Sequence, residues 1–244
     1  MRTLVYFAAD VHLGLANPDP AEREERFLAF LRGIPRDALA LYLLGDIWDF
    51  WYEYRDVVPR EGARVVAELI ALMDAGVEVH FFAGNHDIWT YSFFRSLGVR
   101  KYDGVQTFQI GDKTFCMAHG DAVAASSPGY GFLLRVFRSK VAQGLFSTLH
   151  PWIAYRLALG WSGGKRKSRG PYNFRGEEEP LYKFAAAQKA DFCIFGHYHC
   201  NVDMPLPGGG RFVILGDWLG GGQPHAVFDT ATSSLTVYPS SPRS

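Results

Sequence analysis

The run Val77 to Ala83 is apolar enough for a buried strand, and it stops at Gly84-Asn85-His86-Asp87. An amide, an imidazole and a carboxylate therefore stand in consecutive positions at a strand end. Desolvating three such groups is costly unless something pairs them, and packing alone gives no reason for the cluster. The pattern recurs four times. Leu4 to Ala9 stops at Asp10-Val11-His12, and Ala38 to Leu44 stops at Gly45-Asp46. Lys113 to Ala118 delivers His119-Gly120-Asp121, and Asp191 to Phe195 delivers Gly196-His197-Tyr198-His199. Five such ends restrict the chain to folds that gather strand termini on one side.

Helical patterns separate the first strands. Pro20 to Arg32 carries Phe27, Phe30 and Leu31 on one stripe, and Gly62 to Ala75 carries Val65, Val66, Leu69, Ile70 and Met73, with Gly76 as its C-cap. Strand, helix, strand, helix, strand is the alternation of a layered α/β fold. Sites in such folds lie at the carboxyl ends of strands, where the clusters fall. Gln106 to Ile110 and Lys113 to Ala118 flank Gly111-Asp112, a hairpin signal, so the second half predicts a mixed sheet or two-sheet sandwich. Arg211 to Leu215 is another strand, ending in Gly216-Asp217, and Ala226 to Tyr238 reads as two strands of a meander. Trp48, Phe50 and Trp51 follow Asp46 and suit either core or a pocket wall.

The stretch 122–180 interrupts this order, and the chain 1–244 is expected to be one domain with that stretch as a helical cap. Gly131 to Leu149 and Pro151 to Leu159 predict helices, more apolar than a small helix pair needs. A basic loop, Lys165-Arg166-Lys167-Ser168-Arg169, follows. Such an insertion suits a ligand with an apolar and an anionic part, and contact with an anionic membrane surface. Glu177 to Ala190 predicts a closing helix.

Charge narrows the partners. Lys and Arg number 25, as do Asp and Glu, so nothing in the total points to nucleic acid. Cys116 and Cys193 lie in apolar runs and read as buried thiols; with Cys200 the count is odd and shows no paired spacing, which fits a reducing cytoplasm. The start enters a strand with no signal-peptide pattern, and no run reaches the roughly 20 apolar residues of a membrane span.

Mixed oxygen and imidazole donors suit divalent metals. Two ions about 3.5–4 Å apart are a standard device for phosphoester cleavage. Asp46 is the expected bridge. One ion would take Asp10, His12, Asp46 and His199, the other Asp46, Asn85, His119 and His197. His86 is then left as general acid or phosphate contact, held by Asp87, with Asn85 also near the substrate.

These motifs, Asp10-x-His12, Gly45-Asp46, Gly84-Asn85-His86-Asp87, His119-Gly120-Asp121 and Gly196-His197-x-His199, resemble those of the calcineurin-like metallophosphoesterases. The resemblance covers about residues 4 to 217 and implies a four-layer α-β-β-α sandwich with the dinuclear assignment above. Asp10-Val11-His12-Leu13-Gly14, the aromatic run after Asp46 and the long insertion look like the UDP-2,3-diacylglucosamine diphosphatases of lipid A synthesis. That closer resemblance implies hydrolysis of the substrate's pyrophosphate to lipid X and UMP, usually with Mn2+. It also implies acyl chains held by the cap, with Tyr130, Phe137, Arg166, Lys167 and Arg169 as candidate contacts. A monomer peripheral to the cytoplasmic face of the inner membrane is expected. The best-known branch has Arg at the place of His86 and acidic residues where this chain has Ala122 to Pro128, so the chain resembles the variant branch. A soluble phosphodiesterase or phosphatase on the same fold is the alternative, disfavoured by the apolar cap. A non-catalytic scaffold is disfavoured by the filled ligand positions.

Overall fold

The computed structural model describes residues 2–54, 56–124, 128–167 and 172–239, with backbone alone at 128, 130, 133, 134, 159 and 161–167. Two sheets stack face to face. The first contains β1 (Leu4–Ala8), β2 (Ala40–Leu43), β3 (Glu78–Phe82) and β4 (Arg100–Tyr102), all parallel, with β10 (His225–Asp229) and β11 (Ser234–Tyr238) completing the order β11-β10-β1-β2-β3-β4. The second has the order β5-β6-β7-β9-β8, from β5 (Gln106–Ile110), β6 (Lys113–Met117), β7 (Phe192–Phe195), β8 (Val202–Pro205) and β9 (Arg211–Ile214). β6, β7 and β9 run parallel, and β5 and β8 close the edges antiparallel.

Alternation along each strand makes three apolar layers. Val5, Phe7, Tyr42 and Phe82 point between the sheets and meet Phe115, Met117, Ile194 and Val213. The ring of Phe7 lies 5.4 Å from Tyr42 and 5.7 Å from Phe115, contacts worth about 0.5–1.5 kcal/mol each beyond area burial. Leu41, Leu43, Val79 and Phe81 face outward, onto the apolar stripes of α1 (Pro20–Gly33) and α2 (Ala63–Asp74). On the far side, Cys116, Cys193, Phe195 and Phe212 pack on α8 (Pro180–Ala186). The layers run α-β-β-α, and Cys116 and Cys193 are buried free thiols. Trp48 and Trp51 join the first core, whereas Phe50 lies against Trp89, Phe146 and Tyr155.

α3 (Phe93–Ser96) precedes β4, where the sequence suggests a short helical turn over Phe93 to Leu97. Other short elements depart from expectation, and α4 (Asp121–Ala124) starts at Asp121. The helix expected over Gly131 to Leu149 is two, α5 (Pro128–Arg138) and α6 (Lys140–Ser147), because Ser139 caps α6 by accepting the Ala142 N–H at 3.4 Å. The next helix, α7 (Pro151–Lys167), runs past Leu159, so Lys165, Arg166 and Lys167 sit on helical backbone rather than in a loop. Its Pro151 suits a first-turn position. The closing helix is shorter than expected, a 3-10 turn over Gly176–Glu178 and then α8.

Candidate metal centre

Every cluster follows the carboxyl end of a parallel strand, and backbone bonds lock the ends together. His12 N–H donates to Asp46 O at 3.0 Å, Gly196 N–H to His119 O at 3.0 Å and Trp218 N–H to Asp10 O at 3.2 Å. His197 N–H donates to Asp10 Oδ2 at 2.9 Å. Outside glycine, positive φ occurs at seven described positions, and five are Asp10, His12, Asp46, His197 and His199. Asp and His tolerate the left-handed region better than most residues. Concentrated strain of this kind marks a site that the surrounding fold over-determines.

Two glycines admit the carboxylates. A Cβ on Gly84 would overlap Asp46 Oδ1, and one on Gly196 would overlap Asp10 Oδ2. Each strand end therefore needs a residue with no side chain beside an acidic partner.

The donor atoms converge. His12 Nε2 lies 3.7 Å from Asp10 Oδ1 and 3.9 Å from Asp46 Oδ2, and His199 Nε2 lies 3.7 Å from Asp10 Oδ1. His119 Nε2 lies 3.3 Å from Asp46 Oδ2 and 3.2 Å from Asn85 Oδ1. The His197 ring packs edge-on to His119 with centroids 5.1 Å apart. Asp46 Oδ2 is shared between the two groups.

The other ring nitrogens show why. His119 Nδ1–H donates to Leu44 O at 3.0 Å. His199 Nδ1 meets Asp217 Oδ2 at 2.9 Å, and His12 Nδ1 lies 3.2 Å from Asp49 Oδ1. Each acceptor fixes the tautomer and turns Nε2 inward, the arrangement that orients metal-ligating histidines. Asp49 and Asp217 were not singled out as site residues from the sequence. Asp217 carried the same strand-end signal as the five clusters, but Asp49 sits inside an aromatic run and had none.

Charge is poorly balanced without a cation. Asp10 Oδ1 is buried and has no hydrogen-bond donor. Burial, reinforced by Asp46, pushes the Asp10 carboxyl up to about 6 against the pull of His199 and His119. Burial also acts to raise Asp46, but the charges of His119 and His86 outweigh it and hold this carboxyl below the usual range. Burial disfavours a charged His119, yet Asp46 holds it well above the ordinary histidine value; burial and His119 push His197 well below it. An orphaned carboxylate oxygen, a shared carboxylate and inward imidazole nitrogens fit divalent metal ions. Three groups offer ligand atoms within 4.8 Å of one another: Asp10 with His12 and His199, Asp10 with Asp46 and His119, and His12 with Asp46 and His86.

His86 stands at the rim. Its Nδ1–H donates to Asp49 O at 2.8 Å, and its Nε2 lies 4.0 Å from Asp46 Oδ2. The expectation that Asp87 holds this ring is not met. Asp87 is fully buried and accepts Gly84 and Ile47 N–H at 2.8 Å, and Asp46 and Trp48 N–H at 3.3 Å. Alternation explains it: with His86 facing the rim, the next side chain turns into the fold, where four loop amides need an acceptor.

The helices α5 to α7 dock beside this rim. Tyr52 Oη donates to Gln143 O at 2.8 Å and Trp89 Nε1–H to Phe137 O at 2.6 Å; Arg138 Nη2 reaches Asp121 Oδ2 at 3.4 Å. Phe137 therefore packs on Trp89, at a centroid distance of 5.7 Å. The side chains of Tyr130, Arg166 and Lys167, and all of Arg169, lie outside the described residues. Val141, Leu145 and Trp152 are 74%, 68% and 61% exposed. Among the described residues no helix is long and apolar enough to cross a membrane.

Known proteins resemble this chain over most of its length. A Porphyromonas gingivalis protein named UDP-2,3-diacylglucosamine hydrolase is 40% identical over 96% of this chain and 97% of its own length. A Hamiltonella defensa protein of the same name is 30% identical over 81% of this chain and 79% of its own. A solved structure of a Vps29 mutant from Entamoeba histolytica aligns over 96% of this chain and 90% of its own, at TM-score 0.47 and 16% identity. The family model for calcineurin-like phosphoesterases matches residues 3–201, and the chain belongs to that family.

Proposed function

We propose that this chain hydrolyses the pyrophosphate bond of UDP-2,3-diacylglucosamine, releasing UMP and 2,3-diacylglucosamine 1-phosphate, lipid X, in lipid A synthesis. The observation that carries this reading is the Asp/His cluster sharing its rim with helices whose apolar side chains face solvent. The cluster suits a pyrophosphate, and exposed apolar residues suit a diacylated substrate. The names of the two relatives point the same way.

Asp10, His12 and His199 would hold one ion, and Asn85, His119 and His197 the other, with Asp46 between them; Mn2+ is the proposed metal. Bound there, the ions supply electrophilic polarisation of phosphoryl oxygens and an acidified water. The protein's own groups do the rest. Asp49 and Asp217 keep the imidazoles in one tautomer. His86, its Nδ1–H committed to Asp49 O, presents Nε2 to the substrate phosphates or the leaving group. Asp87 shapes the loop that carries His86 through the four amides it accepts. The helices α5 to α7 receive the acyl chains and bring the monomeric enzyme to the cytoplasmic face of the inner membrane, without spanning it. Arg166, Lys167 and Arg169 are proposed to meet the anionic part of the substrate, with Tyr130 and Phe137 on the apolar part.

The test is UMP release from UDP-2,3-diacylglucosamine in detergent with Mn2+. Wild-type turnover, lost in both Asp46→Ala and His86→Ala, supports the reading. Metal-dependent cleavage of simple phosphodiesters with no cleavage of the lipid would discard the substrate and keep the centre.

A further inference from the structure

Between α7 and α8 the chain passes Tyr172, Phe174 and Arg175 and reaches Glu179, which is fully buried. Glu179 stands at the N-cap position of α8. A capping side chain accepts its helix's own first amides, yet Glu179 makes no such bond. Its oxygens turn the other way. Oε2 accepts the Tyr172 hydroxyl at 2.9 Å, and Oε1 accepts Arg175 N–H at 3.1 Å and Nε–H at 3.2 Å. Burial acts to raise Glu179, but Tyr172, Arg175 and the Tyr198 hydroxyl outweigh it and hold the carboxyl below the usual range. The Arg175 side chain is itself 56% exposed. A buried charge of this kind is weak evidence for stability, so neither capping nor ion pairing explains Glu179.

Tyr198 supplies a reason. It lies between His197 and His199 on the loop after β7. Its buried ring stacks on Tyr172, with centroids 4.4 Å apart and planes at 15°, and Phe174 closes against it at 6.5 Å. Burial, then Tyr172 and Glu179, push the Tyr198 hydroxyl above the usual tyrosine value, so it remains a proton donor beside the carboxylate. His197 and His199 both hold positive φ, 74° and 54°. Two such residues in a stretch of three persist only where the surroundings fix them. Tyr198 N–H tightens the turn by donating to Gly196 O at 3.0 Å, and its side chain is the handle on the protein beneath. α8 reaches the same loops: a Cβ on Gly120 would lie 3.3 Å from Leu181 Cδ2 and 3.6 Å from His197 Cβ.

We propose that Glu179 is a positioning residue for the metal centre. Through Tyr198 it fixes the loop that carries His197 and His199, and through Tyr172 and Arg175 it ties that loop to the chain returning from α7. The inference rests on the dinuclear centre proposed above and adds what holds two of its ligands. His197 and His199 belong to different ions in that centre. Asp217 orients His199 alone, whereas slackening the whole loop loosens one ligand of each ion.

The test is Mn2+ titration calorimetry beside melting curves of the metal-free proteins. Glu179→Ala should weaken binding of both ions by about 10–100-fold, the range for groups that orient metal ligands. Glu179→Gln keeps an acceptor oxygen and should recover part of the loss. Tyr198→Phe keeps the ring stack, drops the hydroxyl and should show a similar loss. The double variant Glu179→Ala/Tyr198→Phe should be no worse than Glu179→Ala, because both changes remove one contact. A lower melting temperature with wild-type Mn2+ affinity would confine Glu179 to packing and overturn the role. Losses that add in the double variant overturn the route through Tyr198. Where Glu179→Ala does not fold, wild-type affinity in Tyr198→Phe overturns it equally. UMP release separates this inference from the proposed reaction. No hydrolysis of UDP-2,3-diacylglucosamine by wild type, with the Mn2+ pattern intact, removes the substrate and keeps the positioning role. Hydrolysis with unchanged Mn2+ affinity in every variant removes the role and keeps the reaction.

Discussion

His86 Nδ1–H donates to the main-chain carbonyl of Asp49 at 2.8 Å, and the Asp49 carboxylate lies 3.5 Å from the same nitrogen. That carboxylate also lies 3.2 Å from His12 Nδ1. One residue thus orients a metal-ligand candidate and the rim histidine together. Asp49→Asn keeps the size but places an amide against two N–H donors. The expected outcome is a loss of about tenfold in metal affinity and about 10–100-fold in kcat. Metal titration and a pH–rate profile check it. Unchanged kcat with a raised KM would show that Asp49 only shapes the substrate pocket.

Gly84 and Gly196 give a steric counterpart. A methyl group at Gly84 meets both Asp46 Oδ1 and the Asp46 backbone N, so a rotamer change alone does not relieve it. Gly84→Ala and Gly196→Ala should each destabilise by about 1–3 kcal/mol and weaken metal binding by more than tenfold. Denaturant unfolding with and without Mn2+ separates the two effects. Wild-type metal affinity in a destabilised variant would contradict the model of a carboxylate seated against a bare backbone.

Asp10 sets stability against function. Metal-free, its buried carboxyl is pushed up to about 6, so above that pH it is ionised at a cost of about 2–3 kcal/mol relative to the unfolded chain. Asp10→Asn removes the charge and supplies N–H to the unsatisfied position of Oδ1. The metal-free variant should melt about 4–8 °C above metal-free wild type at pH 7.5. Adding Mn2+ should reverse the order, because only wild type gains a ligand. Calorimetric scans at pH 5 and 7.5 check both signs, since the difference must shrink at the lower pH.

The sequence carried much of this arrangement and missed specific parts. Strands buried on both faces, such as Ala40–Leu43 and Phe192–Phe195, are plain apolar runs. The clusters after them stood out because nothing in a core explains them. β4 and β8 did not stand out: Arg100–Tyr102 and Val202–Pro205 are edge strands, half polar, whose pairing comes from the sheet beside them. The break at Ser139 rests on one cap bond, and α7 continues through glycines that disfavour helix. The sequence points to Asp87 as the partner of His86 and gives Asp49 no role, whereas Asp49 O accepts from His86 and Asp87 accepts loop amides, because adjacency in sequence does not say which face a loop side chain takes.

His80 gives the fold a pH dependence away from the centre. Its ring stacks on Tyr42 at 4.1 Å, and Nδ1 pairs with Tyr102 Oη at 3.1 Å. Burial lowers its pKa to about 4 despite the opposing pull of Glu78. The unfolded value is about 6.5, so the unfolded chain takes up the proton first. Stability is complete above pH 6.5 and falls by about 3 kcal/mol as pH drops toward 4. In His80→Phe this part of the acid loss should vanish. Urea unfolding of both proteins at pH 7 and 4.5 checks it; equal losses would assign the effect to other groups.

Leu145 and Trp152 are more than half exposed although both are large and apolar. Single exposed apolar residues are ordinary, but Phe132, Val141, Leu145, Trp152 and Leu157 all belong to α5, α6 and α7. Burying each side chain in lipid contributes about 1.5–3 kcal/mol. Replacing both Leu145 and Trp152 by Ser should weaken partitioning by on the order of 100-fold. The measurement is flotation with vesicles containing anionic lipid, at low and high salt, beside a melting curve that confirms folding. Wild type should float and retain part of its binding at high salt, because the apolar contribution is not screened. Binding abolished by salt alone, or left intact in the double variant, would assign membrane contact to the cations instead. No flotation of wild type would confine the exposed apolar residues to the acyl chains of the substrate.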